Sequence, residues 1–172
     1  VSHAVNAQET DTASVVIRQV VLIGNESTRD WVIYRELSFA AGDTIRKSSL
    51  QTVFRRSENN LFNTKLFNTV KLNWTEDRGN VNVYVMLSER WYIFPIPIFE
   101  VAERNFNTWW QHRDFSRTVY GFSLNWRNVT GRNDVLTGTL RLGYTQQMNF
   151  GYRYPNIDRR KRFNLGISGF YV

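Results

Sequence analysis

The stretch NLFNTKLFNTVKLNWTEDRGNVNVYVMLSER, residues 60–90, changes its hydrophobic period partway along. Val70, Leu72 and Trp74 alternate with Lys71, Asn73 and Thr75, and after the turn EDRGN the alternation resumes as Val81, Val83, Val85 and Leu87. Period two on both sides of a glycine-containing turn predicts an antiparallel hairpin. The doubled LFNT just before it, at 61–64 and 66–69, is not a repeat. Leu61 closes a helical series that starts upstream, Phe62-Asn63-Thr64 unwinds it, and Leu66-Phe67 packs the joint under the sheet before the strand begins at Val70. The stretch therefore couples a helical layer to a sheet.

Working upstream, Leu50, Val53, Phe54, Ser57 and Leu61 recur at helical spacing and predict a one-sided helix that turns Arg55, Arg56 and Glu58 to water. The tripeptide AGD at 41–43 breaks the chain before it. RDWVIYREL, 29–37, reads as a short helix with Ile33 and Leu37 on one face and Ser27 with Asp30 as its capping box. VVIRQVVLI, 15–23, is a β-branched strand ended by Gly24-Asn25. The order is βααββ, an α+β domain of about 75 residues with two helices on one face of a three-stranded sheet.

Downstream of residue 91 the helical signal stops. Tyr120, Phe122, Leu124 and Trp126 oppose Gly121, Ser123, Asn125 and Arg127. Leu136, Leu140, Leu142 and Tyr144 oppose Thr137, Thr139, Arg141 and Gly143. Phe150, Tyr152 and Tyr154 oppose Gly151 and Arg153, and Phe163, Leu165, Ile167 and Tyr171 oppose Asn164, Gly166 and Ser168. Segments of about 8–12 residues, apolar on one side and small or polar on the other, are what transmembrane β-barrel strands show. A soluble antiparallel sandwich with one wet face carries the same alternation. In the barrel reading Arg127, Arg141 and Arg153 share the polar parity and face the lumen. A closed barrel needs at least about eight strands, and about five are legible. The alternation is still running at Val172, so the expectation is the N-terminal part of a longer membrane protein.

Composition narrows the chemistry. The 172 residues are 42% hydrophobic and 15% aromatic, which suits sheets and membrane interfaces. No cysteine is present, which excludes disulfides and thiolate chemistry. No run approaches the ~18 apolar residues of a spanning helix, so any membrane crossing is by strands. His112 lies near Asp114 and Ser116 in sequence, but neighbours on a loop do not make a triad, and a surface histidine is the plainer reading. With His3 as the other imidazole there is no metal-ligand spacing, no phosphate loop, no catalytic residue and no cofactor to assign. The net charge of +7 invites a nucleic-acid reading. The one basic run, Arg159-Arg160-Lys161-Arg162, lacks aromatic stacking platforms or a reading helix beside it, so it reads as a charged turn within reach of anionic lipid headgroups. Residues 1–14 are polar and non-periodic, and Val5-Asn6-Ala7 has the small-residue spacing of a secretory cleavage site.

Taken in order, the Gly24-Asn25 turn, Arg35-Glu36-Leu37, Gly42-Asp43, Leu66-Phe67 with Val70, and the closing Glu89-Arg90 resemble a polypeptide-transport-associated (POTRA) domain over 15–90. The following RWYIFPIP, NWRNVTGRNDVLTGTLRLGY and YRYPNID resemble the first barrel strands of BamA/TamA-type outer-membrane assembly proteins over 91–172. Two features depart from that family: a single POTRA domain, and an Arg-Gly-Phe/Tyr barrel-loop motif that these residues do not reach. The resemblance implies a periplasmic POTRA domain on an outer-membrane barrel, with unfolded outer-membrane polypeptides, membrane lipids and periplasmic accessory proteins as partners. It makes the strand Val70, Lys71, Leu72, Asn73, Trp74 and Thr75 the sheet edge that binds client chains by main-chain pairing. It makes Ile93, Phe94, Pro95, Ile96, Pro97, Ile98 and Phe99 part of the first barrel strand, one side of a lateral seam. Pro95 and Pro97 each remove a donor from that strand, so poor pairing is expected. Other readings remain open at this point: a secretion pore for one partner, an anchor or exporter for an enzyme domain elsewhere, or a soluble binding module.

Overall fold

Both residues of the turn Arg78-Gly79 have positive φ, 48° and 78°, the two-residue geometry that matches the twist of a hairpin. The computed structural model, which describes residues 13–101, 106–112, 115–155 and 163–172, builds outward from this turn. His3, the stretch Val5-Asn6-Ala7, Asp114 and the run Arg159–Arg162 lie outside the described residues. The chain divides into two compact units: one takes in the residues up to Glu26 with Ile33–Glu89, the other Ser27–Val32 with Arg90–Val172.

Along the chain to Glu89, β1 (Ser14–Ile23), α1 (Asp30–Tyr34), β2 (Thr44–Arg46), α2 (Lys47–Asn63), β3 (Phe67–Asp77) and β4 (Asn80–Glu89) follow in order, all in the first unit except the first three residues of α1. The sheet order is β2-β1-β4-β3, with β1 and β4 parallel at the centre and the outer pairs antiparallel. Val81, Val83 and Val85 are fully buried. They meet Leu50, Phe54 and Leu61 of α2 as the unit's core, because a strand of period two and a helix of period 3.6 each offer one apolar face.

Two details differ from the sequence expectation. The sheet has four strands, not three. The Gly42-Asp43 turn is pinned to β1, with the Gly42 N–H donating to the Ile17 carbonyl at 2.7 Å and the Ile17 N–H to the Asp43 carbonyl at 2.9 Å, so that Thr44–Arg46 is delivered alongside β1. Gly42 holds φ of 95°, which a side chain would resist. Also, α1 stops at Tyr34 and does not run on to Leu37. Its end tightens into three-residue turns, Glu36 N–H to Ile33 O and Leu37 N–H to Tyr34 O. Phe39 is buried beyond it, edge-on to Phe54 with ring centroids 5.1 Å apart. Ser57, also buried, donates to the Val53 carbonyl and accepts the Ser38 N–H, both at 2.9 Å, and Asn60 donates to the Glu36 carbonyl, so the 36–38 turn is laced to α2.

The joint between α2 and β3 is shorter than the sequence suggests, since α2 runs through Asn63 and β3 already begins at Phe67, ahead of Val70. Thr64 caps the last turn by donating its hydroxyl to the Leu61 carbonyl at 2.6 Å. Lys65 takes a left-handed φ of 63°, and its N–H returns to the Phe62 carbonyl. That reversal drives Leu66 and Phe67 into the core at 1% and 0% exposure, whereas the earlier Phe62 stays at the surface under the Lys65 ammonium.

The second unit is an antiparallel meander in the order β5 (Ile93–Val101), β6 (Thr118–Arg127), β7 (Val135–Gly143), β8 (Gln147–Tyr154) and β9 (Leu165–Tyr171). Contrary to the reading that no helix lies in this half of the chain, the helix α3 (Phe106–His112) and a 3₁₀ turn at Phe115–Arg117 lie between β5 and β6. Directly paired residues share a face, and the register keeps the two faces apart across the sheet. Phe122, Leu140 and Met148 form one transverse row, and Leu124, Gly138 and Phe150 the next. Ser123, Thr139 and Asn149 form a row on the other face. The apolar face is open, with Phe122, Leu140, Met148, Phe150 and Ile167 all exposed. An apolar face of this size left open to the surroundings matches the alternation of barrel strands.

Candidate functional site

The strand β3 is the outer strand of its sheet. Because Asp77 and Asn80 close the two-residue turn as a hydrogen-bonded pair, the register makes Thr75, Asn73 and Lys71 the residues that bond to β4. Val70, Leu72, Trp74 and Glu76 therefore direct their N–H and C=O groups away from the sheet. Alongside them runs a groove of about 740 Å³ between α2 and β3, with Leu50, Phe54, Leu72 and Trp74 as its apolar lining and Lys47, Gln51, Arg55 and Glu58 as its polar wall. At one end Lys47 Nζ pairs with Glu76 Oε2 at 2.9 Å. Lys71, Asn73 and Thr75 lie on the opposite face, exposed.

Glu58 does not turn to water as its place in the helix suggested. Its Oε1 accepts the Leu72 N–H at 2.7 Å. Between Val70 and Glu76, among the described residues, this is the one main-chain N–H met by a side chain. Glu58 follows Phe54 by four positions, which puts it at the border of the apolar stripe, a placement the reading of a solvent-facing Glu58 overlooked.

In β5 the prolines sit differently from the expectation. Pairing with β6 runs without a break from Ile93–Trp126 to Val101–Thr118. The Arg127 N–H donates to the Tyr92 carbonyl at 2.8 Å. That parity makes Phe94, Ile96, Ile98 and Glu100 the residues bonded to β6. Pro95 and Pro97 fall on the other parity, so the donors they lack would have faced the open edge. The ladder to β6 loses nothing, and only the outward edge is short of donors.

Arg127, Arg141 and Arg153 share the polar face. Arg127, Val135 and Arg153 form one transverse row, and Arg141 sits opposite Gly121. Arg141 Nη2 lies 3.3 Å from Glu100 Oε1. Arg127 and Arg153 rim a basin of about 510 Å³ floored by the small residues Gly151, Gly166, Thr137 and Ser168.

A polar knot in the second unit was legible in sequence only as the turn NVTGRND. Asp134 is 0% exposed and accepts the Thr130 N–H at 3.0 Å and the Tyr152 hydroxyl at 2.9 Å. Asn128, at φ 54°, accepts the Asn133 N–H through Oδ1 and donates through Nδ2 to Thr28 Oγ1, both at 2.9 Å. The Arg29 N–H donates to the Gly131 carbonyl and its Nε to the Thr130 carbonyl. Gly131, at φ 79°, leaves no room for a Cβ against the Ser27 carbonyl. Thr28, Asn128 and Asp134 are thus each buried with hydrogen-bond partners, which is how buried polar groups are retained.

Among the described residues no three His, Asp or Glu side chains gather as a metal site. What the edge strands β3 and β5 offer is main chain.

The POTRA family, described as surface antigen variable number repeat, matches residues 15–90. No curated relative matches the sequence. Among solved structures, BamA from Haemophilus ducreyi lacking POTRA domains 1–3 superposes over 91% of this chain and 27% of its own, with a TM-score of 0.62 at 18% identity. CdiB from Acinetobacter baumannii aligns with 91% of this chain and 28% of its own, with a TM-score of 0.49 at 16% identity. POTRA1-2 of the periplasmic domain of Omp85 from Anabaena aligns with 44% of this chain and 47% of its own, with a TM-score of 0.35 at 19% identity. The chain spans about a quarter of the length of the BamA structure it matches. Residues 15–90 are a POTRA domain, and the five-stranded antiparallel sheet that follows has the fold of BamA barrel strands.

Proposed function

We propose that the protein inserts or translocates other polypeptides at the bacterial outer membrane, its POTRA domain in the periplasm holding extended client chains along β3. The observation that carries this reading is the edge itself: outward main-chain groups on alternate residues from Val70 to Glu76, beside an apolar groove. Main-chain pairing tolerates many sequences, and the groove adds a preference for strands with apolar residues on one face. Outer-membrane β-strands have that alternation. The polar face with Arg127, Arg141 and Arg153 is then the lumen, the apolar face meets lipid, and β5 is one side of a seam through which strands pass. The work is binding and alignment, with no bond made or broken.

A photocrosslinking residue at Asn73 in the full-length protein tests this directly. Asn73 is exposed on the face away from the groove, so the probe leaves the edge free. Expected are crosslinks to newly exported outer-membrane polypeptides; a probe that captures no such chain during active biogenesis overturns the reading.

A further inference from the structure

We infer that Glu58 is a built-in occupant of the β3 edge, which a client strand must displace before it can pair. The inference deepens the reading of β3 as the docking edge and rests on it.

An added strand satisfies the edge by placing its carbonyl oxygens on the outward N–H groups. At Leu72 that place is taken: Glu58 Oε1 lies 2.7 Å from the nitrogen. A carboxylate is a stronger acceptor than a peptide carbonyl, and 2.7 Å is at the short end of charge-assisted bonds. Leu72 sits in the middle of the outward series Val70, Leu72, Trp74, Glu76, and both Leu72 and Glu58 line the groove. A client therefore meets a bond already made where its own pairing would be densest. The same contact protects the empty edge, since an unpaired strand with an apolar groove beside it invites association with a second copy. Displacement leaves the carboxylate somewhere to go. Arg55, one helical turn back on α2 and on the same wall, is at the spacing where opposite charges attract. Glu58 thus sets a threshold: a chain that supplies several main-chain bonds and apolar contacts at once passes it, and one that supplies a single bond does not.

The test uses the full-length protein in detergent micelles. The probe is a fluorescein-labelled eight-residue peptide in which valine alternates with threonine and lysine. In Glu58→Ala the Leu72 amide is expected to exchange hydrogen faster, while Lys71 and Asn73, bonded to β4, keep their protection and report an intact fold. Peptide affinity is expected to rise roughly three- to tenfold, with Glu58→Gln in between. In a Leu72→Pro background, which removes the outward N–H and part of the groove lining but no bond to β4, binding is expected to be weaker overall and the Glu58→Ala gain should vanish. Equal affinity of wild type and Glu58→Ala, with the peptide still pairing on β3, overturns the role of Glu58 and leaves the docking edge standing. A gain that persists with Leu72→Pro overturns it too, because the effect would then be charge alone. No peptide binding to any variant overturns the docking edge, and the inference with it.

Discussion

Asn128 shows how much one side chain is asked to do. It holds a left-handed φ, accepts one main-chain N–H and donates to Thr28, all at 3% exposure. Asn128→Gly keeps the backbone and loses both bonds, an expected cost of about 1–3 kcal/mol. Asn128→Ala loses the same bonds and adds left-handed strain, roughly 1 kcal/mol more. The order wild type, Gly, Ala should appear in the midpoint temperature of unfolding of the full-length protein in micelles, and Ala matching Gly would remove strain from the account. Little of this was legible in sequence. NVTGRND read as a turn because Gly, Asn and Asp are turn formers. That Asn128 and Asp134 both bury their side chains depends on Ser27–Val32, about a hundred residues away, joining the same unit. Glu58 was hidden for a related reason: periodicity set it at the stripe's border, but its partner is a main-chain group of a strand, which carries no sequence signature.

At the scale of elements, period and parity were the readable quantities. The hairpin, the long helix and the barrel-type alternation all rest on side chains that repeat, and each is where its pattern put it. β2 escaped because three residues cannot declare a period. The β5 prolines show where parity has to be completed by pairing: sequence gives the missing donors, and only the register to β6 says which way they would have pointed. Substitution separates the two directions. Pro95→Ala and Pro97→Ala should leave stability within about 0.5 kcal/mol, because no ladder bond changes. Ile96→Pro, one residue between them, removes a bond of the β6 ladder and should cost about 1–3 kcal/mol. The unfolding midpoint in micelles checks both, and a large effect of the two alanine changes would reverse the assignment of edges. The glycines of β6 and β7 differ in the room they have. A Cβ at Gly121 meets the Leu140 carbonyl, whereas Gly138 has open space around it.

For the molecule as a whole, the test is the environment its second unit requires. In the proposed outer-membrane reading Phe150 and Ile167 meet lipid, so the full-length protein should extract only with detergent and should migrate faster on a gel unheated than boiled, as closed barrels do. Full solubility without detergent would sink that reading. The two exposed strands are guarded in opposite ways. β3 keeps its donors and covers one with a carboxylate, while β5 has two of its five outward-facing residues as proline. For β5 the consequence is one of time. Each main-chain bond that a neighbouring strand cannot make removes about 1 kcal/mol from the barrier to leaving, so two absent bonds shorten its stay by roughly thirtyfold. A strand on this edge has a short residence written into it, whatever its sequence.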